Sequence, residues 1–443
     1  MEQLQLSLVV LTEVFGKAGA VRMLAKPLAQ NDNSKQQIYL GGSFDVLNEI
    51  PFGHVQPDDR GKVPTFKAPL DLSWLTADGQ FAKAPGAQLI LYPRYPEVRL
   101  SGFLKGCTAA PSEHMRPVPL DQRGDKNAWD GRVLFLGITG DDRVLAFLSL
   151  PGSVLSRNFE LLRAGGGLRS TGRLFALPPP SPLGLTPPET RDALLAALRD
   201  IAGLGPTPSI RLNREGKSKP YAATNGGGYT LEALLGIRPN GRSEPDYLGW
   251  EIKAIGSDRV TLMTPEPDGG FYGENGVKSF LLKYGRPRGA DIYFTGTHKV
   301  GVQNASGHKL MLQGFDAMKQ KIDDVNGGIV LMMNDVVTAS WSYAALLDHW
   351  GRKHAQAAYV KYEKQSNPGP LYSFTGPVML GTGTDFGMFL SALECGLVVY
   401  DPAPKIADVH GARPVIKARS QFRVRVGSIG RLYHAFETVK LLP

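Results

Sequence analysis

The chain has 443 residues, a formal net charge of +9 and a sequence pI of about 9.3, and 42% of its residues are hydrophobic. It can therefore bury a full core, in two domains, and its basic excess favours a polyanionic partner. The two cysteines, Cys107 and Cys395, lie far apart in the sequence and lack the spacing of metal ligands, and so small a number excludes a disulfide scaffold. The apolar run Leu6–Leu11 lacks the flanking residues of a signal peptide. We expect a cytoplasmic protein that does not cross a membrane.

Residues 1–163 predict a strand-rich N-terminal domain of the α+β class. Two short β-like runs, Gln88–Tyr92 and Glu97–Leu100, are followed by two more, Arg132–Leu136 and Arg143–Leu150. The second pair is joined through a Gly-Asp-Asp sequence that is typical of a hairpin turn. No resemblance to a known family identifies this half of the chain.

The densest aromatic and arginine stretch lies within this domain. Arg94 and Arg99 alternate there with Tyr92 and Tyr95, so the arginines can contact phosphates while a tyrosine stacks on a base. This pattern indicates a DNA-reading or effector module. The alternative is that the aromatic residues pack a β-core and the arginines are solvated outside it.

Residues 164–188 predict a linker, because they are first rich in glycine and then rich in proline. The linker ends at Thr186-Pro-Pro-Glu189, a capping box with proline at the first helical position. Residues 189–443 are therefore expected to form the second domain.

Two neighbouring segments of the second domain carry acidic residues in a suggestive order. Tyr229–Gly236 predicts a short helix that bears Glu232. Asp246 then precedes a strand-like run in which Glu251 and Lys253 share one face while Ile252 turns into the core.

This arrangement suits metal-dependent hydrolysis of a phosphodiester. The carboxylates of Asp246 and Glu251 and the main-chain carbonyl of Ile252 are hard oxygen ligands of the kind that Mg²⁺ prefers, and Glu232 can add a third acid. Lys253 can orient the attacking water and stabilise charge on phosphorus. The motif alone is expected by chance in a chain of this length, and the alternative is an ordinary surface ion pair.

The stretch from Tyr229 to about Lys283 resembles the catalytic core of PD-(D/E)xK nucleases, and specifically the MvaI/BcnI restriction endonucleases and the related repair nickase MutH. The helical Glu232 precedes the motif aspartate at a similar distance in that family, and Gly249-Trp-Glu-Ile-Lys253 is similar to its motif strand. The strand Val260–Thr264 and the helix-like Asn275–Gly285 that follow are also similar.

The resemblance implies a mixed sheet flanked by helices from about residue 190 to the C-terminus. It implies that four residues are catalytic, namely Asp246, Glu251, Lys253 and Glu232. Asp246, Glu251 and Ile252 are then expected to hold Mg²⁺, for which Mn²⁺ can substitute. The implied partner is double-stranded DNA. It also implies a protein that acts as a monomer on DNA and cuts each strand in turn.

The remaining periodicity predicts alternating strands and helices, which fits such an α/β domain. Strands are expected at Asp291–Phe294, Gly328–Met333 and Gly396–Tyr400. Helices are expected at residues 315–325, at residues 340–354, and at residues 384–394 with Thr384 as the cap.

The last forty residues are the most basic part of the chain and predict a DNA-facing surface. Lys417 is followed by Arg419, Gln421, Arg423 and Arg425, which alternate along a predicted strand and can reach guanine edges or phosphates. This segment departs from the family pattern, which leaves the target sequence open. The alternative is a solvated strand face.

Three functions follow from these observations. The first is a type II-like restriction endonuclease that defends against foreign DNA, such as phage DNA, by hydrolysing it at a short recognition sequence. The second is a strand-specific or modification-dependent repair nickase, with the N-terminal domain reading the state of the DNA. The third is a non-catalytic DNA-binding protein.

Overall fold

The computed structural model describes residues 6–123, 131–166, 168–177, 187–238, 246–354, 356–367 and 369–442. The chain divides into two compact units, Met1–Glu189 and Thr190–Pro443. Both combine helices with sheets, so the architecture is mixed α/β with sheets predominating. In the part of the chain that the structure describes, no helix is long and apolar enough to cross a membrane.

The first unit consists mainly of strands, as its sequence predicts. Its helices are α1 (Leu8–Lys17) and α2 (Val154–Ala164), and its strands are β1 (Ala20–Pro27), β2 (Gln37–Gly41), β3 (Gln56–Asp58), β4 (Thr65–Pro69), β5 (Leu72–Leu75), β6 (Phe81–Lys83), β7 (Gln88–Tyr92), β8 (Glu97–Ser101), β9 (Val133–Thr139), β10 (Val144–Ser149), β11 (Ser170–Thr171) and β12 (Leu174–Leu177). The strands predicted at β7, β8, β9 and β10 are confirmed, as is the hairpin between β9 and β10.

These strands form a seven-stranded sheet in the order β11-β12-β1-β9-β10-β5-β6 and a five-stranded sheet in the order β2-β8-β7-β4-β3. Strand β9 is buried at every position, which explains why its sequence is a continuous apolar run and does not alternate. Phe15 of α1 and Phe159 of α2 join Phe135 of β9 in the core of this unit.

Part of the predicted linker has regular structure in the first unit. Strands β11 and β12 pair with each other, and β12 pairs with β1. The buried carboxylate of Glu49 accepts hydrogen bonds from Arg169 at 2.6 and 3.1 Å, from Thr171 at 2.8 Å and from Arg22 at 3.4 Å. The glycine-rich part of the predicted linker thus supplies β11, an edge strand of the seven-stranded sheet. Residues 178–186, with the capping threonine Thr186, lie outside the described residues.

The second unit contains the motif residues. Its helices are α3 (Pro187–Gly203, which begins just before the boundary), α4 (Gly226–Leu234), α5 (Gly270–Tyr284), α6 (Tyr343–Lys353) and α7 (Phe386–Glu394). Its strands are β13 (Thr207–Pro208), β14 (Ile210–Leu212), β15 (Ser218–Pro220), β16 (Glu251–Ile255), β17 (Arg259–Met263), β18 (Arg286–Arg288), β19 (Asp291–Tyr293), β20 (His308–Gln313), β21 (Phe315–Asp316), β22 (Lys321–Ile322), β23 (Gly328–Met333), β24 (Val336–Ser342), β25 (Gln356–Lys361), β26 (Glu363–Gln365), β27 (Leu371–Ser373), β28 (Val378–Thr382), β29 (Val398–Tyr400), β30 (Lys405–Ala407), β31 (Val415–Lys417), β32 (Phe422–Arg425) and β33 (Ala435–Val439).

A four-stranded mixed sheet in the order β16-β25-β28-β33 organises this unit. Strand β16 runs parallel to β25, and the other pairings are antiparallel. One face of the sheet packs Ile252, Ala358 and Leu380 against Leu194 and Leu198 of α3. Because side chains alternate along a strand, Glu251 and Lys253 lie on the opposite face.

The other described sheets of this unit are shorter. Three-stranded sheets have the orders β17-β32-β29, β20-β23-β24 and β13-β27-β26, a four-stranded sheet has the order β18-β19-β30-β31, and β14-β15 and β21-β22 are two-stranded. The strands predicted at Val260–Thr264, Asp291–Phe294, Gly328–Met333 and Gly396–Tyr400 are confirmed, each within a few residues.

Two helix predictions need correction. Residues 315–325 form the antiparallel pair β21 and β22 and are not helical. Gly314 and Gln320 there adopt positive φ, which interrupts a helix, although the apolar spacing resembles a helical one. The cap of α7 is Asp385, which accepts a hydrogen bond from the Met388 N–H at 2.8 Å, whereas the buried Thr384 donates to the Leu432 carbonyl.

The other two predicted helices are present with shifted bounds. The helix predicted at residues 340–354 is α6, which begins after the capping residue Ser342 because residues 340–342 complete β24. The helix predicted from Asn275 begins earlier, as α5, and has non-helical backbone at Gly276.

Candidate active site

A tight turn brings Asp246 alongside the motif strand. Leu248 and Gly249 both have positive φ, and the N–H groups of Tyr247 and Trp250 each donate to the other residue's carbonyl, at 3.0 and 2.8 Å. Positive φ at both central residues is the signature of a type I′ turn, which reverses the chain in two residues. The Asp246 carboxylate therefore returns to β16.

The returning carboxylate is fixed to the backbone of the strand. Asp246 Oδ2 accepts a hydrogen bond from the Ile252 N–H at 3.0 Å. The neighbouring Trp250 and Ile252 are buried in the core, so the strand itself is held firmly. The five-residue spacing between Asp246 and Glu251 is thus explained by one turn and one side-chain-to-backbone hydrogen bond.

Glu251 and Lys253 form a close pair on the face of β16 away from the core. Lys253 Nζ donates to Glu251 Oε1 at 3.0 Å, and the side chains are only 15% and 7% exposed, respectively. The other carboxylate oxygen, Glu251 Oε2, is buried and has no hydrogen-bond partner among the residues that the structure describes. A buried carboxylate oxygen without a partner is costly, so this atom is available to a cation or a hydrogen-bond donor.

Two tyrosines that the sequence analysis did not identify lie on the same face. Glu251 pairs across the sheet with Ala357, which pairs with Gly381, and Lys253 pairs with Tyr359. Ala357 and Gly381 are small and leave room beside Glu251. The ring of Tyr433 packs against Gly381 so closely that a Cβ atom added to this glycine would lie 2.5 Å from Tyr433 Cδ2. Only the strand register brings these positions together, so no local sequence signal could have found them.

The hydroxyl groups of the tyrosines are hydrogen-bonded to each other at 2.8 Å in the interior. Burial raises the pKa of both Tyr359 and Tyr433, and the negative charge of Glu251 raises them further. The tyrosines therefore stay neutral, and they form an uncharged pair of side chains near the Glu251 carboxylate.

The glycines before Glu232 belong to the first turn of α4. A side chain at Gly226 would collide with Tyr372, and one at Gly227 would collide with Tyr362. These glycines let α4 approach the tyrosines closely, and α4 carries the half-buried Glu232.

The acidic residues near Glu251 form a smaller group than the sequence analysis considered. Among the residues that the structure describes, no group of three histidine, cysteine, aspartate or glutamate side chains lies close enough together to hold a metal ion. Glu232 therefore does not complete a three-acid cluster with Asp246 and Glu251. Two carboxylates with the Ile252 carbonyl nevertheless suit a hard cation that keeps several waters, and Glu251 Oε2 is the oxygen that such a cation would satisfy.

The predicted DNA-contacting residues near the C-terminus have different surroundings. Strand β32 comprises only Phe422–Arg425, so Arg419 and Gln421 precede it. The guanidinium of Arg423 is bound to Asp401 at 2.9 Å and to the Arg259 carbonyl at 3.2 Å, an internal arrangement. Lys417, Arg419 and Arg425 are exposed, and Gln421 is half-buried.

The predicted contact residues of the first unit surround the hairpin of β7 and β8. Arg99 lies over the Tyr92 ring at 4.9 Å and is bound to Glu97 at 2.6 Å and to Gln37 at 3.2 Å. Arg94 and Tyr95 are exposed in the loop between the strands. Tyr92 and Arg99 are thus held within the sheet, whereas Arg94 and Tyr95 lie at the tip of the hairpin.

Comparison with known proteins places the second unit. The family model described as the MvaI/BcnI restriction endonuclease family matches residues 195–433, more than half of the chain. A solved complex of restriction endonuclease MvaI with its cognate DNA substrate has a TM-score of 0.45 and 17% identity, over 57% of this chain and 99% of that chain. MvaI in the absence of DNA has a TM-score of 0.31 and 16% identity, over 57% and 98%. No curated protein matches the chain.

Proposed function

The chain belongs to the MvaI/BcnI restriction endonuclease family and is a restriction endonuclease acting on DNA, and from that premise we propose that Asp246, Glu251 and Lys253 form its catalytic centre. The proposed reaction is Mg²⁺-dependent hydrolysis of phosphodiesters at a short recognition sequence, in defence against foreign DNA. The second unit would then have the PD-(D/E)xK fold. We further propose that the protein acts as a monomer on DNA.

The observation that carries this proposal is the backbone hydrogen bond between Asp246 and Ile252. It places one carboxylate beside a strand whose next two outward positions are Glu251 and Lys253. An accidental surface ion pair would be mobile and solvated, whereas Glu251 is buried here and the Lys253 side chain is only 15% exposed.

We propose that Asp246, Glu251 and the Ile252 carbonyl hold the metal ion. When bound, Mg²⁺ would supply positive charge that activates water and offsets the charge of the scissile phosphate. Mn²⁺ has the same charge and accepts the same oxygen ligands, so it is expected to substitute.

The protein residues have separate tasks in this proposal. Lys253 directs its ammonium group toward the reacting phosphate and stabilises the charge that develops in the transition state. Its hydrogen bond to Glu251 holds the ammonium in place beforehand, so little reorganisation is needed during the reaction. Tyr359 and Tyr433 are positioning residues, because they shield the Glu251 carboxylate from water without contributing charge.

A second candidate, a strand-specific or modification-dependent nickase, is favoured by one feature of the first unit. That unit lies outside the family match and exposes Arg94 and Tyr95 at the tip of a hairpin. An arginine beside an exposed aromatic ring can contact a phosphate and stack on a base. In this candidate the first unit would read the state of the DNA before the second unit cleaves it.

The direct test uses conservative changes in the motif with matched changes elsewhere. We expect Asp246→Asn and Lys253→Gln each to lower the single-turnover rate of plasmid cleavage by a factor of about 10² or more, because each removes charge aimed at the reacting phosphate. The exposed residues Asp335 and Lys364 supply the controls Asp335→Asn and Lys364→Gln. Motif variants that cleave as fast as these controls would show that the catalytic assignment is wrong.

A further inference from the structure

A four-stranded sheet of the second unit aligns basic residues from separate parts of the chain. In the order β18-β19-β30-β31, Arg286 pairs with Tyr293, Tyr293 pairs with Lys405, and Lys405 pairs with Lys417. Directly paired residues on neighbouring strands point to the same side of a sheet. Three cations and one tyrosine therefore form a continuous row across the sheet.

The opposite face of this sheet identifies the side on which the row lies. The alternate positions form a second row of Ile292, Ile406 and Ile416, of which Ile406 is fully buried, Ile292 is half-buried and Ile416, on the edge strand, is 40% exposed. The isoleucine side therefore faces the interior at the centre of the sheet, and the basic row lies on the opposite side. Arg286 and Lys417, at the two ends of the row, are both exposed.

The outward face has more positive than negative charge. Besides the row it carries Arg288, which pairs with Asp291 in the strand register. We call Arg286, Arg288, Lys405 and Lys417, together with Tyr293, the basic face. Asp291, which pairs with Arg288, is an acidic residue on this face. Its carboxylate accepts hydrogen bonds from Tyr293 at 2.6 Å and from Lys405 at 3.3 Å.

These contacts lower the pKa of Asp291 to about 2, chiefly through the Tyr293 hydroxyl, so the aspartate stays ionised and bound to Lys405. In the described part of the chain, no carboxylate forms an ion pair with Arg286, Arg288 or Lys417. Arg286 donates to the Ala305 carbonyl at 2.9 Å, which fixes its direction without neutralising it. Three cations thus remain available to a polyanion, and one of them, Arg286, has a fixed direction.

We infer that the basic face binds the phosphate backbone of duplex DNA, independently of sequence. Four strands about 4.8 Å apart give the row a length of about 14 Å, close to the axial length of four base pairs at about 3.4 Å each. A regular, outward row of cations with a tyrosine among them fits a line of phosphates better than the edges of bases. This surface differs from the Lys417–Arg425 segment that the sequence indicated, although Lys417 belongs to both.

The inference rests on the family's action on DNA and not on the catalytic roles proposed for Asp246, Glu251 and Lys253. Binding can therefore be measured separately from cleavage, on the full chain without divalent metal. The probe is a duplex of about 30 base pairs, in two unrelated sequences, titrated between about 50 and 200 mM salt.

The test variant replaces the three unpaired cations, as Arg286→Gln, Arg288→Gln and Lys417→Gln together. Each phosphate contact that is lost reduces the slope of log K against log salt by about 0.9, so the slope should fall by between two and three units on both sequences. The control changes three exposed lysines on other strands or loops of the unit, as Lys217→Gln, Lys319→Gln and Lys364→Gln together, and should leave the slope near the wild-type value.

An unchanged slope in the triple variant would overturn the inference. So would an equal loss in the control variant, since that would show an effect of net charge alone. Preference for one of the two sequences through this face would contradict its sequence independence. The single variant Arg288→Gln, whose side chain is exposed, guards against misfolding and should reduce the slope by about 0.9. If wild-type protein binds in this way but does not cleave with Mg²⁺, the catalytic proposal fails and the binding surface stands.

Discussion

At the scale of single residues, the site depends on positions that differ in how visible they are in the sequence. Glu251 and Lys253 follow from strand alternation, because they flank an apolar residue in an apolar run. The position of Asp246 follows from a turn whose central residues both have positive φ, one of them Leu248, which rarely adopts such a conformation. That strain suggests that the turn is maintained for the placement of Asp246.

The packing of Tyr359 and Tyr433 can be tested by substitution of Gly381, the glycine against which Tyr433 packs. In Gly381→Ala the added methyl group would meet the Tyr433 ring, which must shift and weaken its hydrogen bond to Tyr359. We expect a loss of about 1–3 kcal/mol in the free energy of unfolding of the second unit, together with slower cleavage. Denaturant unfolding and single-turnover cleavage measure the two effects.

The matched control is Gly427→Ala, because a Cβ atom at Gly427 would meet no atom of the described residues within 4 Å. This change should alter the unfolding free energy by no more than about 0.5 kcal/mol. If Gly381→Ala and Gly427→Ala behave alike, the tyrosines do not depend on the small residue beneath them.

At the scale of elements, the sequence predicted most strands and helices, and the failures have physical causes. Residues 315–325 have helical spacing of apolar residues, but positive φ at Gly314 and Gln320 selects two short strands. Tyr359 and Tyr433 could not be assigned to the site because they are 74 residues apart and meet through the pairing of β25 with β28 and the packing of Tyr433 on Gly381 of β28. Local patterns report periodicity, whereas the register between distant strands depends on the whole fold.

The buried Glu49, which contacts Thr171 of the edge strand β11, offers a prediction about acid stability. Burial raises the pKa of Glu49, but Arg169 and Arg22 outweigh this effect and hold the pKa below its ordinary value of 4.5. A lowered carboxyl pKa contributes stability that is present above the ordinary pKa and is lost as the pH falls through the lowered value. The first unit should therefore lose stability steeply as the medium becomes more acidic than pH 4.5.

In Glu49→Gln this part of the acid dependence should disappear, and the unit should be less stable at neutral pH because Arg22 and Arg169 lose their buried, charged partner. Unfolding free energies measured from neutral to acid pH provide the test. Glu13→Gln, at an exposed position of α1, serves as the control and should retain the wild-type dependence. An acid dependence of Glu49→Gln that matches this control would exclude the buried cluster as its source.

At the scale of the whole molecule, the chain joins a unit without a family match to one that belongs to a restriction endonuclease family. The match begins at residue 195, inside α3, although Leu194 of that helix already packs in the core of the second unit. We propose that the nuclease domain includes all of α3 and extends to the C-terminus. The first unit remains the candidate for reading the state of the DNA.

The most direct measurement of the central claim is to sequence the DNA ends that the purified full chain makes on modified and unmodified genomic DNA with Mg²⁺. We expect ends with 5′-phosphates that accumulate at one short sequence in the wild type and are absent with Asp246→Asn. Ends confined to modified DNA would favour the modification-dependent alternative. The same ends from wild type and Asp246→Asn, or no accumulation at any sequence, would show that Asp246 is not catalytic or that the protein is not a sequence-specific endonuclease.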